Sequence, residues 1–181
     1  MRKIIFSDKK LWRVLGKKQQ NKKRIENVMN VVLEIKGEEI TIKSKKKDSV
    51  AEYLTSEILG ALSTGFDFDS AIKLRDENYV FKEINLKNRV KASRLETVKA
   101  RIIGTKGKTK KVIEGLTGCS IVLADSTVSI IGTLDNVEVA DKAIESLIRG
   151  SPHSVVYNYL EKSKAKLKEL EIENIEDFIE K

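Results

Sequence analysis

The stretch RIIGTKGKTKKVIEGLTG, Arg101 to Gly118, decides the fold. Ile102 and Ile103 close one apolar segment. Gly104-Thr105-Lys106-Gly107 then interrupts it as a G-x-x-G loop. Val112, Ile113 and Leu116 follow at the spacing of one helix face. Gly118 supplies the left-handed residue on which a helix ends. A glycine loop between two helices, crowded with lysine, is a phosphate-binding device. Two uses are open: holding a nucleotide for chemistry, or holding a polynucleotide for binding.

Working outward, the same pattern occurs a second time. RVLGKKQQNKKRIENVMNVVLEI, Arg13 to Ile35, aligns without a gap on Arg101 to Leu123. Seven positions are identical: Arg13/Arg101, Gly16/Gly104, Lys18/Lys106, Lys22/Lys110, Lys23/Lys111, Ile25/Ile113 and Glu26/Glu114. Asn30 stands where Gly118 ends the second helix, and Asn also tolerates the left-handed conformation. Alternating strands come next in both copies, Leu33 and Ile35 in one, Ile121 and Leu123 in the other. EEITIK and STVSIIG supply a further strand each. A longer amphipathic helix closes each unit, DSVAEYLTSEILGAL in the first and NVEVADKAIESLIRG in the second. KIIF and VFKEINL open them as strands. The order predicted for both is β-α-α-β-β-α. FDFDSAIKLRDEN reads as a linking helix, and residues from Ser154 onward as a helical tail.

Composition bounds the function. Lys and Arg number 35 against 27 acidic residues, a formal charge of +8, which favours an anionic partner. No apolar run approaches the roughly 20 residues that span a bilayer, and the amino-terminal run is too short for a signal peptide. One Cys and one His exclude an intramolecular disulfide and a cysteine-based zinc cluster. A cytoplasmic protein without metal, cofactor or membrane partner is expected.

The loop distinguishes the two uses. Gly107-Lys108-Thr109 matches the end of a nucleotide P-loop, G-x-x-x-x-G-K-[ST]. The first glycine of that motif belongs at position 102, which is Ile, and the motif belongs after a strand, not a helix. The binding use fits better. Arg101, Lys106, Lys108, Lys110 and Lys111 carry five positive charges with no acid among them. A loop of this kind tracks a single-stranded backbone.

The β-α-α-β-β-α order with IIGTKGKTKKVIEGLTG resembles the eukaryotic-type (type I) KH domain. RIIGTKGKTKKVIE, IVLADSTVSIIG and IESLIRGSPHSVVYNYLE narrow the likeness to the archaeal-type members of the two-KH small-subunit ribosome-assembly factors, the Dim-two or Partner-of-Nob-one family. The first half is similar to that family's first KH unit more loosely, through the repeat and GALSTGFDFDSAIKL. The resemblance implies an α+β protein of two type I KH domains packed in tandem. These would be a degenerate first domain with a linker helix (1–75), a second with an intact GxxG (76–160) and a charged helical tail (161–181). It implies a non-enzymatic protein that binds small-subunit rRNA near its 3′ end. As further partners it implies the endonuclease that trims that end and, more weakly, a translation initiation factor subunit. The expected RNA contacts are Arg101, Ile102, Ile103, Gly104, Thr105, Lys106, Gly107, Lys108, Thr109, Lys110, Lys111, Ile121 and Val122. A KH-type regulator of other RNA or of single-stranded DNA, and a P-loop hydrolase, are the alternatives.

The two copies differ at telling places. The first loop reads Gly16-Lys17-Lys18-Gln19, so Gln19 replaces the second glycine and obstructs backbone approach. Glu34 replaces Val122. Elsewhere the plain readings are preferred. His153 is a surface or packing residue, Cys119 a small buried side chain, and Trp12 a core or inter-domain residue in place of a base-stacking one. In the tail, Leu167, Leu170, Ile172, Ile175, Phe178 and Ile179 form a candidate docking stripe beside a solvated charge run.

Overall fold

The computed structural model describes residues 1–179; the side chains of residue 18 and of residues from 169 onward fall outside it. The expected docking stripe of the tail, apart from Leu167, falls on side chains outside the described ones. Two compact units divide the chain, Met1–Phe81 and Lys82–Lys181.

In the first unit, β1 (Arg2–Ile5), α1 (Asp8–Leu15), α2 (Gln20–Met29), β2 (Val31–Lys36), β3 (Glu39–Ser44) and α3 (Ser49–Thr64) follow in order. A short α4 (Phe68–Ala71) and a 3-10 turn over Ile72–Arg75 come after them, so the expected linking helix is short and tightly wound. The strands form an antiparallel sheet of order β1-β3-β2. The second series is β4 (Tyr79–Asn85), inside which the unit boundary falls, α5 (Ala92–Ile103), α6 (Lys108–Thr117), β5 (Ser120–Ala124), β6 (Thr127–Thr133), α7 (Leu134–Arg149) and α8 (His153–Ile179). Its sheet has the order β4-β6-β5. The order β-α-α-β-β-α thus occurs twice. Helix α8 runs through residue 161 without a break.

The repeat extends beyond its sequence identity, into strand register. Leu33 pairs with Ile42, and Ile121 with Ile130, and all four side chains are buried. The offset that superposes Arg13 on Arg101 also superposes these pairs. Val14 and Ile102, and Ile25 and Ile113, are buried in the same way in their own units. Each buried aliphatic side chain of this kind contributes about 1.5–3 kcal/mol. Helices α2 and α6 end on Asn30 (φ 53°) and Gly118 (φ 69°), both left-handed as the sequence requires. Helices α3 and α7, of equal length, end on Gly65 and Gly150 at φ 107° and 105°.

The identity of Glu26 and Glu114 has a structural cause. The Leu33 N–H donates to Glu26 Oε1 at 2.8 Å, and the Ile121 N–H donates to Glu114 Oε1 at 2.8 Å. In each unit a carboxylate on the second helix therefore fixes the start of the following strand. It satisfies a backbone donor that would otherwise be left unpaired near the core.

Replacing that carboxylate tests the tie. Glu114→Ala should lower the stability of the Lys82–Lys181 unit by about 1–3 kcal/mol, the cost of leaving a partly buried N–H without its acceptor. Glu114→Gln, which keeps an acceptor oxygen, should cost less. Urea denaturation of the two variants gives the comparison.

Candidate nucleic-acid interface

The G-x-x-G loop is built by the close meeting of α5 and α6. Gly104 has φ 73° and ψ 172°, a region essentially restricted to glycine. A Cβ at that position would fall against the Thr109 side chain and 2.7 Å from its backbone nitrogen. The first glycine is thus required by packing inside the unit. Residues Thr105–Gly107 form a 3-10 turn closed by the Gly107 N–H donating to the Gly104 carbonyl at 3.1 Å. Lys106 and Gly107 are both left-handed, at φ 52° and 75°. Around a Cβ built on Gly107 no atom lies within 4 Å. Of the two glycines, only the second leaves an open backbone face. The expectation that both serve phosphate approach is corrected for Gly104, because its missing Cβ accommodates Thr109.

The first unit shows the same skeleton. Gly16 has φ 68° and ψ 178°, and a Cβ there would lie 2.8 Å from Asn21 Nδ2. Asn21, the counterpart of Thr109, donates to the Val14 carbonyl at 3.2 Å. Gln19 keeps the left-handed turn at φ 55° and donates its N–H to the Gly16 carbonyl at 3.2 Å. The loop therefore survives loss of the second glycine, at a conformational cost of about 1–2 kcal/mol. What it loses is the bare backbone surface. Glu34 is half-exposed and paired with Lys43 at 2.7 Å. The bond to Lys43 holds its carboxyl below the ordinary carboxylate value, so it is an anion at neutral pH.

The structure sorts the expected contacts. Thr105, Lys106, Lys108 and Lys111 are exposed, and Ile103 is 38% exposed. Val122 and Gly107 are half-buried. Lys110 is engaged with Glu114 at 3.0 and 3.1 Å. Arg101 is half-buried, its Nη2 donating to the Ser151 carbonyl at 2.5 Å. Ile102 and Ile121, at 1% and 2% exposure, point into the core and have no surface for a ligand. Thr109 is also buried, and its hydroxyl is hydrogen-bonded to Tyr157 Oη at 3.1 Å. These three are corrections: they shape the loop from beneath. The buried hydroxyl of Thr109, and the helix preceding the loop, also set Gly107-Lys108-Thr109 apart from a nucleotide P-loop.

Two residues given no binding part from sequence prove to support the loop. His153 Nε2 lies 3.0 Å from the Arg101 carbonyl, and Tyr157 holds Thr109. Their rings are 6.1 Å apart on successive turns of α8. The i, i+4 spacing after Pro152 was the available signal. Cys119 is buried, and burial pushes its thiol above the ordinary value, in keeping with a packing role. Trp12 is 71% exposed, so it is not a core residue. Among the described residues no helix is long and apolar enough to cross a membrane.

The fold order, the G-x-x-G turn between helices and the cationic surface around it define a type I KH module. Residues 80–165 match the model of the eukaryotic-type KH domain (KH-domain type I). The chain is 34% identical over 164 residues to the KH domain-containing protein MJ0443 of Methanocaldococcus jannaschii, covering 88% of this chain and 72% of that one. It is 35% identical over 147 residues to the pre-rRNA-processing protein pno1 of Schizosaccharomyces pombe, covering 78% of this chain and 61% of pno1. Among solved structures it is similar to the a/eIF2alpha–aDim2p–rRNA complex of Pyrococcus horikoshii. There the TM-score is 0.84 and the identity 36%, with 91% of this chain and 94% of the matched chain covered. The chain belongs to the Dim2/Pno1 family of KH-domain proteins.

The two glycines separate by stability. Gly104→Ala should destabilise the unit by about 2–4 kcal/mol, from disallowed backbone and overpacking against Thr109. Gly107→Ala should cost only about 1 kcal/mol, from left-handed strain alone. Equal losses in chemical denaturation would contradict the packing assignment of Gly104.

Proposed function

We propose that this chain binds single-stranded RNA through the G-x-x-G surface of its second unit, during maturation of the small ribosomal subunit. The observation that carries the reading is the exposed cationic turn Thr105–Lys108, with Gly107 open to a phosphate backbone and Lys111 one helical turn further on. Lysines neutralise phosphates without reading sequence, and the loop shape selects a flexible single strand over a duplex. The relatives support the reading: one is named for pre-rRNA processing, and another was solved with rRNA.

In this reading the chain is a pair of KH domains in tandem, residues 1–75 with a degenerate loop, residues 76–160 with the working one, and a charged tail over 161–181. Ile103, Thr105, Lys106, Gly107, Lys108, Lys111 and Val122 form the contact surface, with Arg101 and Lys110 at its edge. The target is small-subunit rRNA near its 3′ end. The chain acts by binding, without catalysis, and its protein partners are the endonuclease that trims that end and an initiation factor subunit. An α subunit of that factor accompanies the Pyrococcus relative in its rRNA complex, which supports the second partner.

Replacing Thr105 and Lys106 by Asp should weaken binding of a single-stranded RNA about tenfold or more and flatten its salt dependence. The same change at Lys17 and Lys18 should have a much smaller effect. Fluorescence anisotropy across a salt series measures both, and equal losses would contradict a working second loop beside a degenerate first. Measured turnover of ATP or GTP that disappears in Lys108→Ala would overturn the non-enzymatic reading. Crosslinking in cells should enrich the 3′ region of small-subunit rRNA; enrichment of other transcripts would point to a different RNA target.

A further inference from the structure

Beside the loop, and sharing Gly104, Thr105 and Lys108 with it, lies a cleft of about 400 Å³ that extends to α8. It is formed by three elements of the second unit: the last turns of α5, the loop with the start of α6, and the first turns of α8. Thr97 and Arg101 line it from α5, Thr105 and Lys108 from the loop and α6, and His153 and Tyr157 from α8. The β-α-α-β-β-α module ends with α7, so the α8 wall is an addition to it.

Its chemistry differs from that of three other clefts among the described residues. The clefts lined by Glu57 and Glu77, by Asp76, and by Asp135 and Glu138 each carry carboxylates. This one carries two cations, Arg101 and Lys108, and no acidic residue among its lining. Arg101 uses Nη2 on the Ser151 carbonyl, while its buried Nε has no hydrogen-bond partner among the described residues. The half-buried guanidinium on the cleft wall is a charge-assisted donor suited to a phosphate oxygen. His153 faces a carbonyl with Nε2, and a carbonyl only accepts. Nε2 is therefore the donor in this contact, and Nδ1 is the ring nitrogen left for a ligand. The paired rings of His153 and Tyr157 add aromatic surface, on which a base stacks.

Resting on the RNA-binding reading above, we propose that this cleft is a subsite for one further nucleotide of the bound strand, next to those held at the G-x-x-G loop. Its phosphate is held by Arg101 and Lys108, and its base packs on the His153 and Tyr157 rings. Because His153 holds the Arg101 carbonyl and Tyr157 holds Thr109, a nucleotide there also buttresses the loop. The first unit differs at this place: Trp12 stands at the position of Ala100, which lines the cleft.

His153 is the only histidine of the chain, so its ring resonances report on the cleft without ambiguity. The full chain is titrated with single-stranded oligouridylates of four and eight nucleotides, following the His153 Cε1–H and the loop amides by NMR, with affinities from anisotropy. The tetramer should shift the loop amides and leave the histidine nearly unmoved. The octamer should shift both and bind about tenfold more tightly, the gain of one stacked base. Thr97→Glu, an exposed lining residue in none of the hydrogen bonds above, should erase that length-dependent gain and leave tetramer affinity within about twofold. An octamer that moves the loop amides but not His153, or a gain that survives Thr97→Glu, would overturn the subsite while leaving the loop reading intact. Absence of loop shifts with both oligonucleotides would overturn the RNA-binding reading and the subsite with it.

Discussion

The close approach of α5 and α6 at Gly104 is the constraint on which the working surface depends. One missing Cβ lets the chain fold back over Thr109, and the next three residues must then turn in a single 3-10 loop. That turn places Lys106 and Gly107 left-handed and outward, and starts α6 with Lys108 and Lys111 on its exposed side. A larger residue at position 104 would push the two helices apart, and the cationic residues would no longer share one surface.

The internal repeat separates what the fold needs from what the surface does. Three of the positions kept in both copies have local structural work. Gly16 and Gly104 make room for a side chain on the following helix, Ile25 and Ile113 fill the cores, and Glu26 and Glu114 accept a strand N–H. The kept lysines leave both loops cationic, and the contrast between the copies lies in a few positions of the proposed contact surface and the cleft beside it. Gly107 against Gln19, Val122 against Glu34 and Ala100 against Trp12 alter a surface while the backbone beneath stays the same. The first unit has kept its architecture and changed its face. The second has in addition an α8 wall that braces the loop through Thr109 and the Arg101 carbonyl.

Much of this was legible along the chain. Periodicity located the helices and strands because amphipathic spacing follows directly from local geometry. Helix ends were readable at Gly118 and Asn30, since few residues accept a left-handed backbone. The limits appeared wherever two elements distant in sequence meet. Ile102 and Ile103 are adjacent and chemically alike, yet one is core and the other 38% exposed. Ile121 and Thr109 looked like contacts and are buried. Trp12 was read as a core or inter-domain residue and is 71% exposed, so it is not core.

The sequence by itself determined the element order, the duplicated unit, the glycine turn and the excess of positive charge, all of which depend on neighbouring residues and composition. Only the tertiary structure decided which glycine is open, which isoleucines are sealed and what stands behind the loop. Those properties arise from contacts such as Tyr157 with Thr109 and His153 with Arg101, made across 48 and 52 residues. Local periodicity carries no information about such pairs, because they depend on how whole helices are placed by the core.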